Sequence, residues 1–493
     1  MLFLAVVFFV IIATLSIHYF KRKLSYWEVR GVNHEKPSFP FGNLYGIGKE
    51  QSFSELHMRL YKKFKNKAPF FGMYMFLNKM LVITDLDLLK NIFIKDFNNF
   101  TDRGLYHNKK DDPLSANVST VDGKAWKIMR SKLSPTFTSA KMKFMFPIVQ
   151  RVGDEFAEVL KGMVAQNSEI EIKELFYRFT TDIIGTCAFG IECNSLKDPE
   201  AEFRLHGKKL VDDLNSKILK IVFQQNFPSL ARFLKMRFVK KECSDYFMRI
   251  VRETVHYREQ NNIRMNDFMD LLIDLKNNTN GDNPEGLTMD EISAQAFIFI
   301  LGGFETSAST MGFLFYELAK NQDIQDKLRS HINSVLEDHG GVISYESMKA
   351  MTYVEQVTME SLRKYPIASE IFRLTKEDYK VPDSNFVIEK GTNILIPVRS
   401  IHSDPDIYPN PEIFDPERFS IQEITKRHTQ SFLGFGDGPR NCIGLRFAKM
   451  QIFVGVVSLL RNFKFTTNDN LTISKKGFIL QSEGGLHLTM NAL

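Results

Sequence analysis

The sequence predicts a mainly α-helical protein with small β-sheets, preceded by one membrane-spanning helix. Three observations carry that prediction. From Phe144 to about Lys276, and again from Met289 to Lys320, apolar residues recur with helical period. Strand-like runs are short and confined to residues 70–84, 386–397 and 465–488. Residues Leu2 to Tyr19 are nearly all apolar, broken by Ala13, Thr14, Ser16 and His18.

That first run matches the roughly 20 helical residues, at about 1.5 Å each, that span a hydrocarbon core of about 30 Å. Its basic charge follows it, as Lys21, Arg22 and Lys23. A cleaved signal peptide carries charge in front of a shorter apolar region. Residues 1–20 therefore read as an uncleaved signal-anchor, and because basic flanks stay cytoplasmic the body, 49–493, should face the cytosol. Residues 21–48 read as a basic stop and a linker with Pro37, Pro40, Gly42, Gly46 and Gly48.

Phe70 to Thr84 reads as a hairpin with Asn78-Lys79 near its turn, and Asp85 as the cap of a helix reaching about Lys95. Asp102 to Gly123 is a polar, turn-rich loop, expected over an active site. Trp126 and Arg130 then share one helix face, with Lys124, Lys127, Lys132, Lys141 and Lys143 clustered around them. Such a run is most simply a solvated face. Asn226 to Val239 mixes apolar residues with Arg232, Lys235 and Arg237, which suits a loop on a bilayer surface and an ordinary connector equally. Asn277 to Gly286 is a polar breaker.

In the long helix Met289 to Lys320, Gly302 and Gly303 cost about 1 kcal/mol each relative to alanine and call for a reason. Glu305 and Thr306 follow, an acid beside an alcohol, as proton delivery requires. Taken alone, a surface glutamate and a core threonine explain them as well. Glu360 and Arg363 set opposite charges three residues apart on a helix. Phe386 to Pro397 reads as short strands around Gly391, Arg446 to Phe463 as a helix, and Phe465 to Leu488 as strand hairpins.

Composition bounds the function. The chain has 493 residues, 44% apolar and 25% charged, which is globular rather than disordered. A net charge of +6 is too modest for a nucleic-acid binder of this size. Four cysteines without a paired spacing point to reduced thiols facing the cytosol. The 44 phenylalanines fit an aromatic-lined pocket, though core packing accounts for most of them.

One cysteine stands in the most constrained stretch, Phe435-Gly436-Asp437-Gly438-Pro439-Arg440-Asn441-Cys442-Ile443-Gly444. The glycines permit positive φ and close approach to a flat ligand. Arg440 puts a cation two residues before the sulfur, just ahead of a helix, where a thiol pKa is expected to fall. A lone thiolate cannot fill a zinc site, but it can be the single axial ligand of a heme iron. A buried structural cysteine is the plainer alternative.

The pattern Phe-x-x-Gly-x-Arg-x-Cys-x-Gly, filled by Phe435, Gly438, Arg440, Cys442 and Gly444, resembles the heme-thiolate loop of the cytochromes P-450. Gly302-Gly303-Phe304-Glu305-Thr306-Ser307, Glu360-Ser361-Leu362-Arg363 and Pro416-Glu417-Arg418-Phe419 resemble the family's other signatures, in the expected order. Asp111-Asp112-Pro113-Leu114-Ser115 and Leu133-Ser134-Pro135-Thr136-Phe137-Thr138 look most like its insect microsomal branch, associated with xenobiotic oxidation.

The resemblance implies the P-450 fold and heme b held by Cys442. It places Trp126, Arg130, Arg373 and Arg440 at the heme carboxylates and Glu305 and Thr306 in proton handling, with the glycines giving room for dioxygen. Glu360, Arg363 and Arg418 would brace the cysteine loop. NADPH electrons would arrive through NADPH-cytochrome P-450 reductase, docked on some of the lysines above, with cytochrome b5 as a second donor. The setting would be the endoplasmic reticulum membrane, the substrates lipophilic small molecules such as insecticides or plant compounds, and no nucleic acid would be bound. Dedicated metabolism of an insect hormone shares all this chemistry, and a heme protein without turnover is a third reading. Isomerase or dehydratase members commonly lack the acid–alcohol pair. The sequence departs from the branch at Gly434, where proline is usual, and at Glu370, a carboxylate beside an expected apolar substrate segment.

Overall fold

Thr288 and Glu291 close a capping box at the start of the longest helix, Met289–Lys320. The Thr288 hydroxyl accepts from the Glu291 amide at 3.2 Å, and the Glu291 carboxylate accepts from the Thr288 amide at 3.0 Å. The computed structural model describes residues 2–277, 286–477 and 479–493, so the breaker Asn277 to Gly286 lies almost wholly outside the described residues. Apolar on nearly all sides, this central helix is a core helix. It packs against the helices Ile172–Ile184, Lys241–Asn261, Thr352–Lys364 and Leu445–Leu460. Packing explains Gly303: a Cβ there would stand 2.3 Å from Ile184 Cδ1, so the missing side chain lets two helices close up.

Helices fill most of the stretch from 139 to 277. The first, Ser139–Val164, starts five residues earlier than its period suggests and runs straight through Pro147. Burial of Met142, Met145, Phe146, Val149 and Val152 along one face offsets the hydrogen bond that the proline removes.

The described strands are β1 Phe70–Met75, β2 Asn78–Ile83, β3 Glu169–Glu171, β4 Ile371–Leu374, β5 Tyr379–Lys380, β6 Val387–Ile388, β7 Asn393–Ile396, β8 Phe463–Thr466 and β9 His487–Ala492. They form three small sheets, ordered β1-β2-β7-β4, β3-β9-β8 and β5-β6. The expected first hairpin pairs Phe70 with Ile83 and turns at Phe76, whose φ is +53°. Asp85 caps the next helix by accepting from the Leu88 amide at 2.7 Å. The C-terminal tail differs from expectation. Its strands lie at the two ends, β8 against β9, and the middle carries the isolated bridges Ile473–Ser482 and Ala368–Ile479.

The apolar N-terminal helix is Leu2–Leu24, long and apolar enough to cross a membrane, with a mean hydropathy of 2.4 in its most apolar window. The stretch after it, read as a linker, is tied to the body. Trp27 is buried, and its indole N–H donates to the Met73 carbonyl at 3.0 Å. Gly72 makes the room, since a Cβ there would lie 2.4 Å from the Trp27 ring. Between Asn226 and Val239 stands a short helix, Pro228–Phe233, with Phe233 82% exposed. Asp112, fully buried in the loop 102–123, accepts from the Phe238 and Val239 amides at 2.7 and 3.1 Å and joins these two segments.

Candidate active site

Gly438 fixes the shape of the cysteine loop. Its φ is +69°, and a Cβ would stand 2.0 Å from the Phe93 carbonyl oxygen, so the loop lies directly on the backbone at Phe93. Asp437 Oδ1 accepts from the Gly438 amide at 2.7 Å and starts the tight turn Gly438–Arg440. The Cys442 amide donates to the Phe435 carbonyl at 2.9 Å, and the helix Leu445–Leu460 follows.

Cys442 is accessible although protein surrounds it on nearly every side, so its thiol faces an interior space. Cys187 and Cys243 are buried and Cys193 is half-buried. The expected fall in the Cys442 pKa is not what the surroundings give. Burial pushes the thiol up and outweighs the opposing pull of the Gly444 amide, Arg130 and Arg103.

Four guanidinium groups gather around this loop. Arg130 donates to the Asn441 carbonyl at 3.0 Å and to its side-chain oxygen at 2.8 Å. Arg440 donates to the Thr101 and Val121 carbonyls at 2.7 and 2.8 Å, and lies over the Trp126 ring at 4.3 Å. Arg103, which carries no signal in the sequence beyond its charge, donates to the Arg440 carbonyl at 3.1 Å. Arg373, on β4, is buried over the Phe93 ring at 5.1 Å. Among the described residues Asp122 is the one carboxylate within ion-pairing distance of any of the four, 3.1 Å from Arg440. Burial first, then Arg103 and Arg440, hold Arg373 well below the usual guanidinium range. Burial and Arg103 bring Arg440 down to about 10. Arg373 Nε and Arg440 Nη1 are buried without a hydrogen-bond partner. Such a cluster is short of negative charge and of acceptors.

Behind the loop, Arg363 clasps Glu360 through two hydrogen bonds of 2.7 and 2.8 Å, both side chains fully buried. Arg418 approaches Glu360 at 3.6 Å, the brace that the resemblance implies. Arg363 also donates to the His402 carbonyl at 3.0 Å, and His402 Nε2 accepts from the Leu433 amide at 2.9 Å, just ahead of the cysteine loop.

On the central helix Gly302 is exposed to open space, with nothing within 4 Å of where a Cβ would be. Thr306, one turn on, donates to the Gly302 carbonyl. Glu305 is not brought to this side. It is fully buried and accepts from Tyr177 at 2.6 Å, Ser309 at 2.8 Å, Gln481 at 3.0 Å and Lys173 at 3.3 Å. Successive residues of a helix diverge by about 100°, so an acid and an alcohol adjacent in sequence face different neighbours. Glu370 also turns away, accepting from His57 Nδ1 at 3.0 Å.

The cytochrome P450 family profile matches residues 33–489. The chain belongs to the cytochrome P450 family. It is similar to three proteins of Drosophila melanogaster. Probable cytochrome P450 6a20 is 45% identical over 479 residues, 95% of this chain and 96% of that one. Cytochrome P450 6a9 is 48% identical over 477 residues, 95% of each chain. Cytochrome P450 6a2 is 45% identical over 506 residues, the full length of both. The chain is thus an insect-type cytochrome P450 monooxygenase, mainly helical, with heme bound through a cysteine thiolate. The residues present fit that cofactor. Heme carries two carboxylates, and the site offers unpaired, buried nitrogens of Arg373 and Arg440 and an accessible thiol facing inward.

Proposed function

We propose that Cys442 would hold the heme iron of a microsomal monooxygenase that oxidises lipophilic small molecules, including insecticides or plant compounds. The observation that carries this reading is the single inward-facing thiol beside four under-neutralised arginines. Heme, when bound, supplies the redox chemistry that splits dioxygen and inserts one oxygen atom into the substrate. Arg130 and Arg440 tie down the cysteine loop and, with Trp126 and Arg373, would hold the heme carboxylates. Thr306 presents a hydroxyl on the open side of the central helix and moves protons there. Glu305 stays in its cluster of four donors and fixes the helix that carries Thr306.

Electrons come from NADPH through NADPH-cytochrome P-450 reductase, with cytochrome b5 as a second donor. Exposed Lys124, Lys127 and Lys143 offer an acidic partner a docking face. The helix Leu2–Leu24 anchors residues 49–493 to the cytosolic face of the endoplasmic reticulum, and exposed Phe233 rests on the same bilayer.

The test is the carbon monoxide difference spectrum of the reduced, detergent-solubilised protein beside Cys442→Ser. A long-wavelength thiolate band that Cys442→Ser abolishes supports the assignment. A band typical of histidine ligation, or no heme, overturns it.

A further inference from the structure

Glu370 stands immediately before β4, and its contact with His57 plays no part in the chemistry above. The two side chains are 4% and 2% exposed. His57 belongs to the helix Phe53–Phe64, which Ser52 and Glu55 close with a capping box. Its other ring nitrogen, Nε2, is buried without a partner, so the ring makes one polar contact, and that is to Glu370. A buried acid and imidazole do not improve stability over apolar packing of the same volume, and a pair of this kind serves best to fix a register.

The register matters here. Side chains alternate along a strand, so Ile371 and Arg373 face the side opposite Glu370 and Phe372. Ile371 Cδ1 lies 3.8 Å from where a Cβ of Gly436 would be, against the cysteine loop. Arg373 joins the arginine cluster. Phe372 packs instead against the apolar cluster that contains Phe53, Leu56 and Leu60 of the helix Phe53–Phe64. A slip of one residue would exchange the two faces. It would turn Glu370 toward the site and Arg373 away from it.

We propose that His57 and Glu370 form a positioning pair that sets the register of β4, so that Ile371 and Arg373 face the heme. This rests on the heme reading above. The experiment uses the full-length holoprotein and two readouts besides turnover: the rate of heme transfer to apomyoglobin and the spectral dissociation constant for 4-phenylimidazole. Glu370→Ala and His57→Ala should each speed heme transfer by about tenfold, and the double variant should do no more, because contacting residues that act as one unit are not additive. Glu370→Gln keeps the acceptor, and His57→Asn places an amide donor where Nδ1 was. Both should stay near wild type in both readouts.

Wild-type values in Glu370→Ala, or effects that add in the double variant, overturn the proposal. If the alanine variants do not fold, His57→Gln decides: its amide reaches the Nε2 position, so it should lose heme faster than His57→Asn, and equal rates overturn the pair. A wild-type protein without the thiolate band refutes the heme reading instead, and that outcome is separate from any of these.

Discussion

Glu305 and Thr306 are consecutive residues that serve different sides of the central helix. Glu305 is sealed among Tyr177, Lys173, Ser309 and Gln481, while the Thr306 hydroxyl returns to the Gly302 carbonyl on the open side. The two are therefore separable by mutation, with different losses.

Thr306→Ala should keep heme and substrate binding and waste reducing equivalents as peroxide. Product formed per NADPH should fall by at least about tenfold, since a positioned proton donor contributes about a hundredfold or more. Measuring NADPH consumption, product and peroxide together checks this, and tightly coupled product formation would remove Thr306 from the mechanism.

Glu305→Ala should first damage the fold. It leaves Lys173 and Tyr177 buried without their acceptor, and breaking a buried ion pair from one side costs about 3 kcal/mol or more. Denaturant unfolding should show that loss, and Lys173→Met in the same chain should recover part of it. Unchanged stability with lost coupling would instead make Glu305 a direct proton carrier.

The two loop glycines should differ sharply. Both have φ of +69°, but a Cβ at Gly436 meets nothing closer than 3.7 Å, whereas at Gly438 it collides with the Phe93 carbonyl. Gly436→Ala should cost only the left-handed backbone penalty, about 1–2 kcal/mol. Gly438→Ala should abolish heme incorporation. The thiolate band per mole of purified protein distinguishes them, and an intact band in Gly438→Ala would mean that the loop can leave Phe93.

What the sequence made legible follows from range. The central helix, the first hairpin and the anchor are written in local period and composition, and the cysteine loop in the spacing of Gly438, Arg440 and Cys442. Five features were not readable because their partners are far away in sequence. Trp27 looked like linker because the gap it fills is at Gly72. Arg103 lies in a loop without period, and only the fold brings it to Arg440. The direction of Glu305 depends on Tyr177 and Gln481, and that of Glu370 on His57. The strand β8 finds β9 across an intervening segment that folds back on itself at Ile473–Ser482.

His402 predicts an acid dependence of stability. It is fully buried, with Nε2 accepting from the Leu433 amide and Nδ1 facing the Arg363 carbonyl at 3.2 Å, so it is held as one neutral tautomer. Burial, and then Arg363, lower its pKa from 6.5 to about 3. The unfolded chain takes up a proton near pH 6.5 that the folded chain refuses, so this contribution is complete above that pH. It is lost as pH falls toward about 3. Between pH 7 and pH 5 the loss should be about 2 kcal/mol. His402→Gln keeps a donor and an acceptor but does not titrate. Its unfolding free energy should fall less than that of wild type over the same interval, by about that amount. Parallel pH profiles for the two proteins would mean that His402 is protonated in the fold, and the link from Arg363 to the cysteine loop would then have to be built differently.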